Sequence, residues 1–180
     1  TLDGTLFPYT TLFRSFDPVT PNGSADWRCL HLNAEDVIAV TQPLSISLDG
    51  IAKGHAADAI CALMIAMGAS EAIVDAGGDL ALHCLSPQSV GLRDPLNPRK
   101  IAHEVRIARG GVASSGAYGG MSELWRARDK REAWPCAISV TAPSCAVADA
   151  LTKAIAARPA LMDDLPRWNA AAYVFKTSSA

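Results

Sequence analysis

Ser47-Leu48-Asp49-Gly50-Ile51-Ala52-Lys53-Gly54-His55-Ala56-Ala57-Asp58, followed one predicted helix later by Asp75-Ala76-Gly77-Gly78-Asp79, places a glycine-bracketed lysine at a helix start and a glycine turn one unit on. Such an arrangement presents backbone amides to a phosphate-bearing ligand. Ile60, Leu63, Met64 and Met67 recur at helical spacing, and Gly68 stands where a left-handed residue ends a helix, so the pattern predicts a helix over Ala56 to Met67. Asp58 falls in the first turn of that helix, a favourable place for negative charge. Residues 50 to 54 just before it offer free amides and Lys53 to an anion. The spacing matches neither Gly-x-x-x-x-Gly-Lys-Ser/Thr nor Gly-x-Gly-x-x-Gly, so the generic nucleotide motifs do not account for it.

Outward from this stretch, Val37 to Val40 and Leu44 to Leu48 read as short strands leading into the glycine motif, after a turn at Pro21-Asn22-Gly23-Ser24. Ile73 and Val74 belong to a strand that Gly77-Gly78 reverses into Leu80 to Cys84. Pro87, Pro95 and Pro98 make the stretch from Ser86 to Arg99 a loop-rich connection. Ile101 to Ala108 alternates, with Ile101, Val105 and Ile107 expected on the inner face. A strand over Ala137 to Thr141 precedes a helix over Cys145 to Ala157, for which Ser144 is the expected N-cap, and Ala170 to Phe175 is expected to close the sheet. Strands outnumber helices and do not alternate regularly with them. This favours an α+β domain with a mainly antiparallel or mixed sheet packed with helices.

With 180 residues, 49% of them hydrophobic and 19% charged, the chain can bury one core and reads as one domain. Its 16 Lys plus Arg stand against 18 Asp plus Glu with no basic run, which argues against nucleic acid as a partner. The longest apolar run, over residues 59 to 67, is too short for a transmembrane segment. Five cysteines without a Cys-x-x-Cys pair indicate neither a zinc site nor a complete disulfide framework, and buried packing is expected for most of them. The four histidines have no metal-ligand spacing. Trp125, Trp134 and Trp168 are expected in the core or at its rim rather than stacked on a ligand.

Residues 47 to 79 resemble the hallmark of the ApbE family of FAD:protein FMN transferases, in which Asp-Leu-Gly-Gly-Ile-Ala-Lys-Gly leads into a helix and then into a strand ending in Gly-Gly-Asp. Two further blocks follow in the family's order. Val112-Ala113-Ser114-Ser115-Gly116-Ala117-Tyr118 is similar to its Ala-Thr-Ser-Gly-x-Tyr, and Val140 to Leu151, with Ala148-Asp149-Ala150-Leu151, is similar to its Ala-Pro-x-Ala-Asp-Ala-Leu block. The resemblance runs from about Val37 to Phe175. It implies an ApbE-like, T-fold-like domain over residues 21 to 180, incomplete at the N-terminus, because members carry a further N-terminal portion that also touches the flavin. It also implies a strand over Val90 to Arg93. Residues 1 to 20 read as a segment outside the family pattern, and the first fifteen are similar to translated sequencing-adapter DNA. Members are often periplasmic or membrane-anchored, and localisation stays open.

The resemblance implies transfer of the FMN half of FAD to a threonine hydroxyl of an acceptor redox protein, with Mg²⁺ and release of AMP. The metal ligands it implies are Asp149, Thr152 and a carbonyl of Gly50; oxygen donors of this kind suit Mg²⁺. Lys53 is the expected phosphate or loop-orienting residue. Gly77 and Gly78 are expected against flavin or ribose, Ser115 and Gly116 against adenine or pyrophosphate, and Ser47 stands where the family usually has an acidic residue. Gly77-Gly78 read equally as a hairpin turn, and Ser115-Gly116 as a strand-end turn.

Two departures from the family pattern bear on activity. Most members place Thr where this chain has Lys153, which either binds phosphate or pairs with Asp149 at helical spacing. Members also have a His-Ile-x-Asp-Pro segment whose histidine serves as base, whereas no histidine follows His103 here and Glu123 falls at that place. Glu123 is either a substitute base or a solvated charge in the run Ser122 to Arg131. Three readings follow from these residues: a flavin transferase, a non-catalytic FAD-binding relative, and an inactive fragment.

Overall fold

The computed structural model describes residues 27–33, 38–42, 48–97, 99–118, 121–122 and 137–175. Two compact units divide at residue 47. In the first, a 3₁₀ turn, Trp27–Cys29, leads into β1 (Leu30–Leu32), which pairs antiparallel with β2 (Ile38–Val40). The strand expected over Leu44 to Leu48 lies, but for Leu48, outside the described residues, as does the turn expected at 21 to 24.

The second unit contains α1 (Ala52–Ala66), β3 (Ala72–Asp75), β4 (Leu80–Arg93), β5 (Ile101–Tyr118), β6 (Met121–Ser122), β7 (Ala137–Ala142), α2 (Cys145–Ala157), a 3₁₀ segment over Pro159–Trp168, and β8 (Ala171–Phe175). Its strands run in the order β3-β4-β5-β7-β8, every neighbouring pair antiparallel, with β6 paired to the end of β5. The domain is therefore α+β with an antiparallel sheet, and β8 occupies an edge as expected.

One face of the sheet carries both helices. Ala113, Ile138, Val140 and Ala142 pack against Ala148, Leu151, Ile155 and Ala156 of α2, while Ala57 and Cys61 of α1 pack against Ala72, Ala81 and Cys145. Leu82, Leu92, Val105 and Val112 form a separate buried cluster, joined by Tyr173 and Phe175.

Four expectations need correction. Helix α1 begins at Ala52, four residues before the predicted start, because the Leu48 carbonyl accepts from the amides of Ile51 and Ala52 and the Ile51 carbonyl accepts from His55. Gly54, expected just before the helix, is inside its first turn. The stripe that revealed the helix is also not its buried face. Ile60, Leu63 and Met64 are exposed and Met67 is 80% exposed, whereas Gly54, Ala57 and Cys61 are buried. Small residues pack inward here because neighbouring backbone comes too close for large ones.

The stretch from Ser86 to Arg99 is mostly strand. β4 runs through to Arg93, with a register shift between His83 and Gln88 that absorbs Pro87 in a bulge, where its missing N–H removes no ladder bond. The connection shrinks to the residues after Arg93, where Asp94 Oδ1 accepts from the Leu96 amide at 2.8 Å. The strand implied over Val90 to Arg93 is thus present. Finally, Ile101 is 54% exposed, at the start of its strand, while Val105 is buried. The helix over Cys145–Ala157 has the predicted bounds, and Ser144 Oγ accepts from the Val147 amide at 3.3 Å.

The N-terminus of α2 is held on both sides by glycine. A Cβ on Gly54 would stand 2.5 Å from the Cys145 carbonyl oxygen, and one on Gly111 of β5 would stand 2.2 Å from Cys145 Cα. Gly54→Ala gains helix propensity of about 1 kcal/mol, but it forces backbone against backbone, at a cost of roughly 1–3 kcal/mol or more. We expect a net loss of stability, read as a lower urea midpoint with an unchanged slope.

Candidate functional site

Asp149 sits on the first turns of α2, fully buried, where its Oδ2 accepts from the Gly54 amide at 3.2 Å and its Oδ1 pairs with Lys153 Nζ. The pairing follows from helical spacing, since residues four apart share a face. Asp79, at the end of the Gly-Gly-Asp turn, is built in the same way. It is 1% exposed, its Oδ1 accepts from the Ser114 amide at 3.3 Å, and its Oδ2 lies 3.2 Å from Lys53 Nζ. Each carboxylate thus has one oxygen on a backbone amide and the other beside an ammonium. The lysines are the more exposed partners, at 40% for Lys53 and 28% for Lys153.

Burial pushes the Asp79 carboxyl above the ordinary range, and the nearby Asp149 charge adds to the rise, while Lys53 and Lys153 oppose it. Its Oδ2 is held by the Lys53 ammonium as an ion pair rather than by a well-aligned hydrogen bond.

The remaining predicted residues distribute around this cluster. Gly50 lies beside the Lys153 stem, so that a Cβ on it would meet Lys153 Cγ at 3.6 Å. Thr152 is fully buried; its hydroxyl donates to the Asp149 carbonyl at 2.7 Å. Because a carbonyl only accepts, the 2.8 Å contact between Ser115 Oγ and Thr152 Oγ1 must be donated by Ser115. The Ser115 hydroxyl is therefore spent on Thr152. Ser115 and Gly116 lie inside β5, opposite Ile138 and Ala137, rather than in a strand-end turn. Gly77 and Gly78 form the β3-β4 turn with φ of 71° and 97°, held by Asp75 Oδ1 accepting from the Gly78 amide at 2.6 Å. Both face open space. Ser47 and Glu123 lie outside the described residues.

The anion nest expected from residues 50 to 54 takes a different form. The amides of Ile51, Ala52 and Gly54 are engaged by Leu48 and Asp149, so positive charge at this place comes from the two lysines. Asp58 likewise has a different task from the one expected. It lies beyond the first turn of α1, and its carboxylate accepts from the amides of Cys145 at 2.9 Å and Ala146 at 2.8 Å, capping α2 across the interface. The roles of Asp58 and Asp79 were missed by reading the sequence. The only signal for Asp79 was its place at the end of the glycine turn, where an aspartate also suits a plain turn.

Asp149, Thr152 and Gly50 supply a carboxylate, a hydroxyl and a carbonyl, all hard oxygen donors. Each Asp149 oxygen retains a lone pair beyond its present contact. By chemistry these donors suit Mg²⁺, and Asp149 Oδ1 is paired with Lys153. Among the described residues no three His, Cys, Asp or Glu side chains group as a metal site. The described cysteines are free and buried, and burial, reinforced by Asp79, Asp58 and Asp149, pushes the Cys145 thiol up to about 12, so it stays protonated and is no nucleophile. An open groove of about 520 Å³ lies elsewhere, lined by Glu104, Arg106, Arg109, Asn169 and Tyr173 among others, and contains none of the predicted residues.

An α+β domain whose glycine-lysine helix and Ala-Asp-Ala helix converge on a buried charge cluster is the class this fold and site define. The ApbE family pattern matches residues 19–162, and the chain belongs to that family. The fold is similar to that of the ApbE protein of Thermotoga maritima, at 21% identity and TM-score 0.67 over 83% of this chain and 55% of that one. It is also similar to the Pseudomonas stutzeri flavinyl transferase ApbE in apo form, at 21% identity and TM-score 0.64 over 82% of this chain and 50% of that one. The flavin transferase ApbE of Vibrio cholerae matches at 17% identity and TM-score 0.65, over 86% and 54%. The chain spans about half the length of these relatives. Comparison with curated proteins finds no match. No described helix is long and apolar enough to cross a membrane.

Asp79 gives the site a pH signature. Its folded-state value lies above the ordinary 3.8, so the folded chain binds more protons than the unfolded one between the two values, and stability falls as pH rises through that window. Unfolding midpoints taken across mildly acidic pH are expected to fall for the wild type relative to Asp79→Asn. Parallel curves for the two proteins would remove this assignment.

Proposed function

We propose that the chain acts in flavin transfer, moving the FMN half of FAD onto a threonine hydroxyl of an acceptor redox protein in an Mg²⁺-dependent reaction that releases AMP. The observation that carries this reading is the convergence of Lys53-Asp79 and Lys153-Asp149 from two separate family motifs onto one place. Membership of the ApbE family and the similarity of the fold to two flavin transferases support flavin chemistry.

In the balanced reaction, the acceptor oxygen forms a bond to the FMN phosphorus, the bond from that phosphorus to the bridging oxygen breaks, and AMP leaves with the electron pair. The acceptor's proton goes to a base. Charge neutralisation and alignment are the main requirements of such a step. Bound Mg²⁺ would supply Lewis-acid neutralisation of phosphate oxygens. Asp149, Thr152 and the Gly50 carbonyl would hold it, with Ser115 orienting Thr152 through its donated hydrogen bond.

Lys53 would bind phosphate, held in direction by Asp79. The open side of Gly77 and Gly78 would let the flavin or ribose approach the backbone. Gly116 would keep the strand beside Ser115 free of side-chain bulk, Ser47 would make a weaker contact than the family's acidic residue, and Glu123 would take the acceptor's proton. A second reading, FAD binding without transfer, is favoured by the absence of any histidine after His103.

The test incubates the chain with FAD, Mg²⁺ and a threonine-bearing acceptor protein, following covalent flavin fluorescence on the acceptor and AMP in solution. Slow transfer is expected, lowered about 100-fold by Asp149→Ala, as for removal of one key transition-state contact. Transfer untouched by Asp149→Ala removes the metal assignment, and FAD binding with no transfer selects the second reading.

A further inference from the structure

We propose that Lys153 is a built-in counter-ion of Asp149 which a divalent cation must displace, so that cation and dinucleotide enter this site together and not singly. The inference rests on the flavin-diphosphate reading above and adds to it the order of assembly. Lys153 Nζ pairs with Asp149 Oδ1, the carboxylate assigned to the cation, and its stem lies along Gly50, the residue assigned as carbonyl ligand. One flexible side chain therefore occupies one proposed ligand, Asp149, and passes beside the backbone of a second, Gly50.

Charge counting gives the consequence. Asp79, Asp149, Lys53 and Lys153 sum to zero, and the two carboxylates are buried. A divalent cation entering alone adds two positive charges beside two ammonium groups. A diphosphate entering alone adds two negative charges beside two buried carboxylates. Either one is uncompensated in a poorly solvated place, whereas the two together restore neutrality. When Lys153 leaves Asp149 for a phosphate oxygen, it vacates the cation position and gains a partner in one movement.

The coupling is reciprocal: whatever factor FAD adds to cation affinity, the cation adds to FAD affinity. Mn²⁺ binding to the full chain, followed by electron paramagnetic resonance with and without FAD, measures it, and flavin fluorescence quenching measures FAD binding with and without Mn²⁺. For the wild type, FAD is expected to tighten Mn²⁺ at least about tenfold, within the usual range of such couplings. Lys153→Met, which keeps the stem and removes the charge, is expected to bind Mn²⁺ alone about tenfold tighter than the wild type and to lose most of the FAD enhancement. Lys153→Arg, which keeps the charge, is expected to retain weak Mn²⁺ binding without FAD, so a general fault in folding would not reproduce the contrast. Equal Mn²⁺ affinity in wild type and Lys153→Met overturns the proposal. If FAD still binds in that case, the flavin reading survives it; if neither FAD nor Mn²⁺ binds any of the proteins, both fall.

Discussion

The close seating of the α2 N-terminus between helix α1 and the sheet is the constraint on which the rest of the domain depends. Gly54 and Gly111 leave no side chain where Cys145 passes, and Asp58 reaches across to accept from the amides of Cys145 and Ala146. These contacts satisfy helix-end donors that are costly to leave buried and unpaired. They also fix the axial position of α2 to within a hydrogen bond. Since Asp149 lies one turn into that helix and takes its own bond from the Gly54 amide, the position of the candidate site follows from the packing that holds the helix.

A site assembled this way has its negative charges deep and its positive charges outside. Asp79 and Asp149 are almost without exposure, and the ammonium groups of Lys53 and Lys153 project past them. Buried carboxylates are expensive unless each is hydrogen-bonded and paired. Here the backbone amides of Ser114 and Gly54 bear part of that burden. The hydroxyl chain from Ser115 through Thr152 to the Asp149 carbonyl fixes the helix against β5 without adding charge. The result is a cluster of buried carboxylates whose paired ammonium groups are its more exposed members.

Much of the fold was legible because local rules and tertiary structure agree along most of the chain. The Ser144 cap and the bounds of α2, the glycine reversal at 77 and 78, and the closing strand at 171–175 are set by local hydrogen bonding and backbone preference. The stretch around Pro87 was misread because a proline in a bulge looks, in one dimension, like a proline in a loop. Helix α1 was found by the wrong face: Ile60, Leu63 and Met64 gave the period, yet Ala57 and Cys61 make the buried contact. Hydrophobic periodicity reports that a helix has sides, not which side a neighbouring backbone will approach.

The amino-acid sequence by itself determined the order and type of most elements in 72–175 and the three family blocks, since each depends on residues near one another in the chain; the place of Lys53 beside a helix start was read the same way, whereas Gly50, Asp149 and Thr152 became candidates through the resemblance those blocks carry. Only the tertiary structure decided their partners. Gly54 joins Asp149 across 95 residues, Ser114 joins Asp79 across 35, and Asp58 caps a helix 87 residues away. The physical reason is that short-range preferences act over one turn or one strand repeat, whereas charge pairing and close packing act between whichever surfaces the sheet brings together.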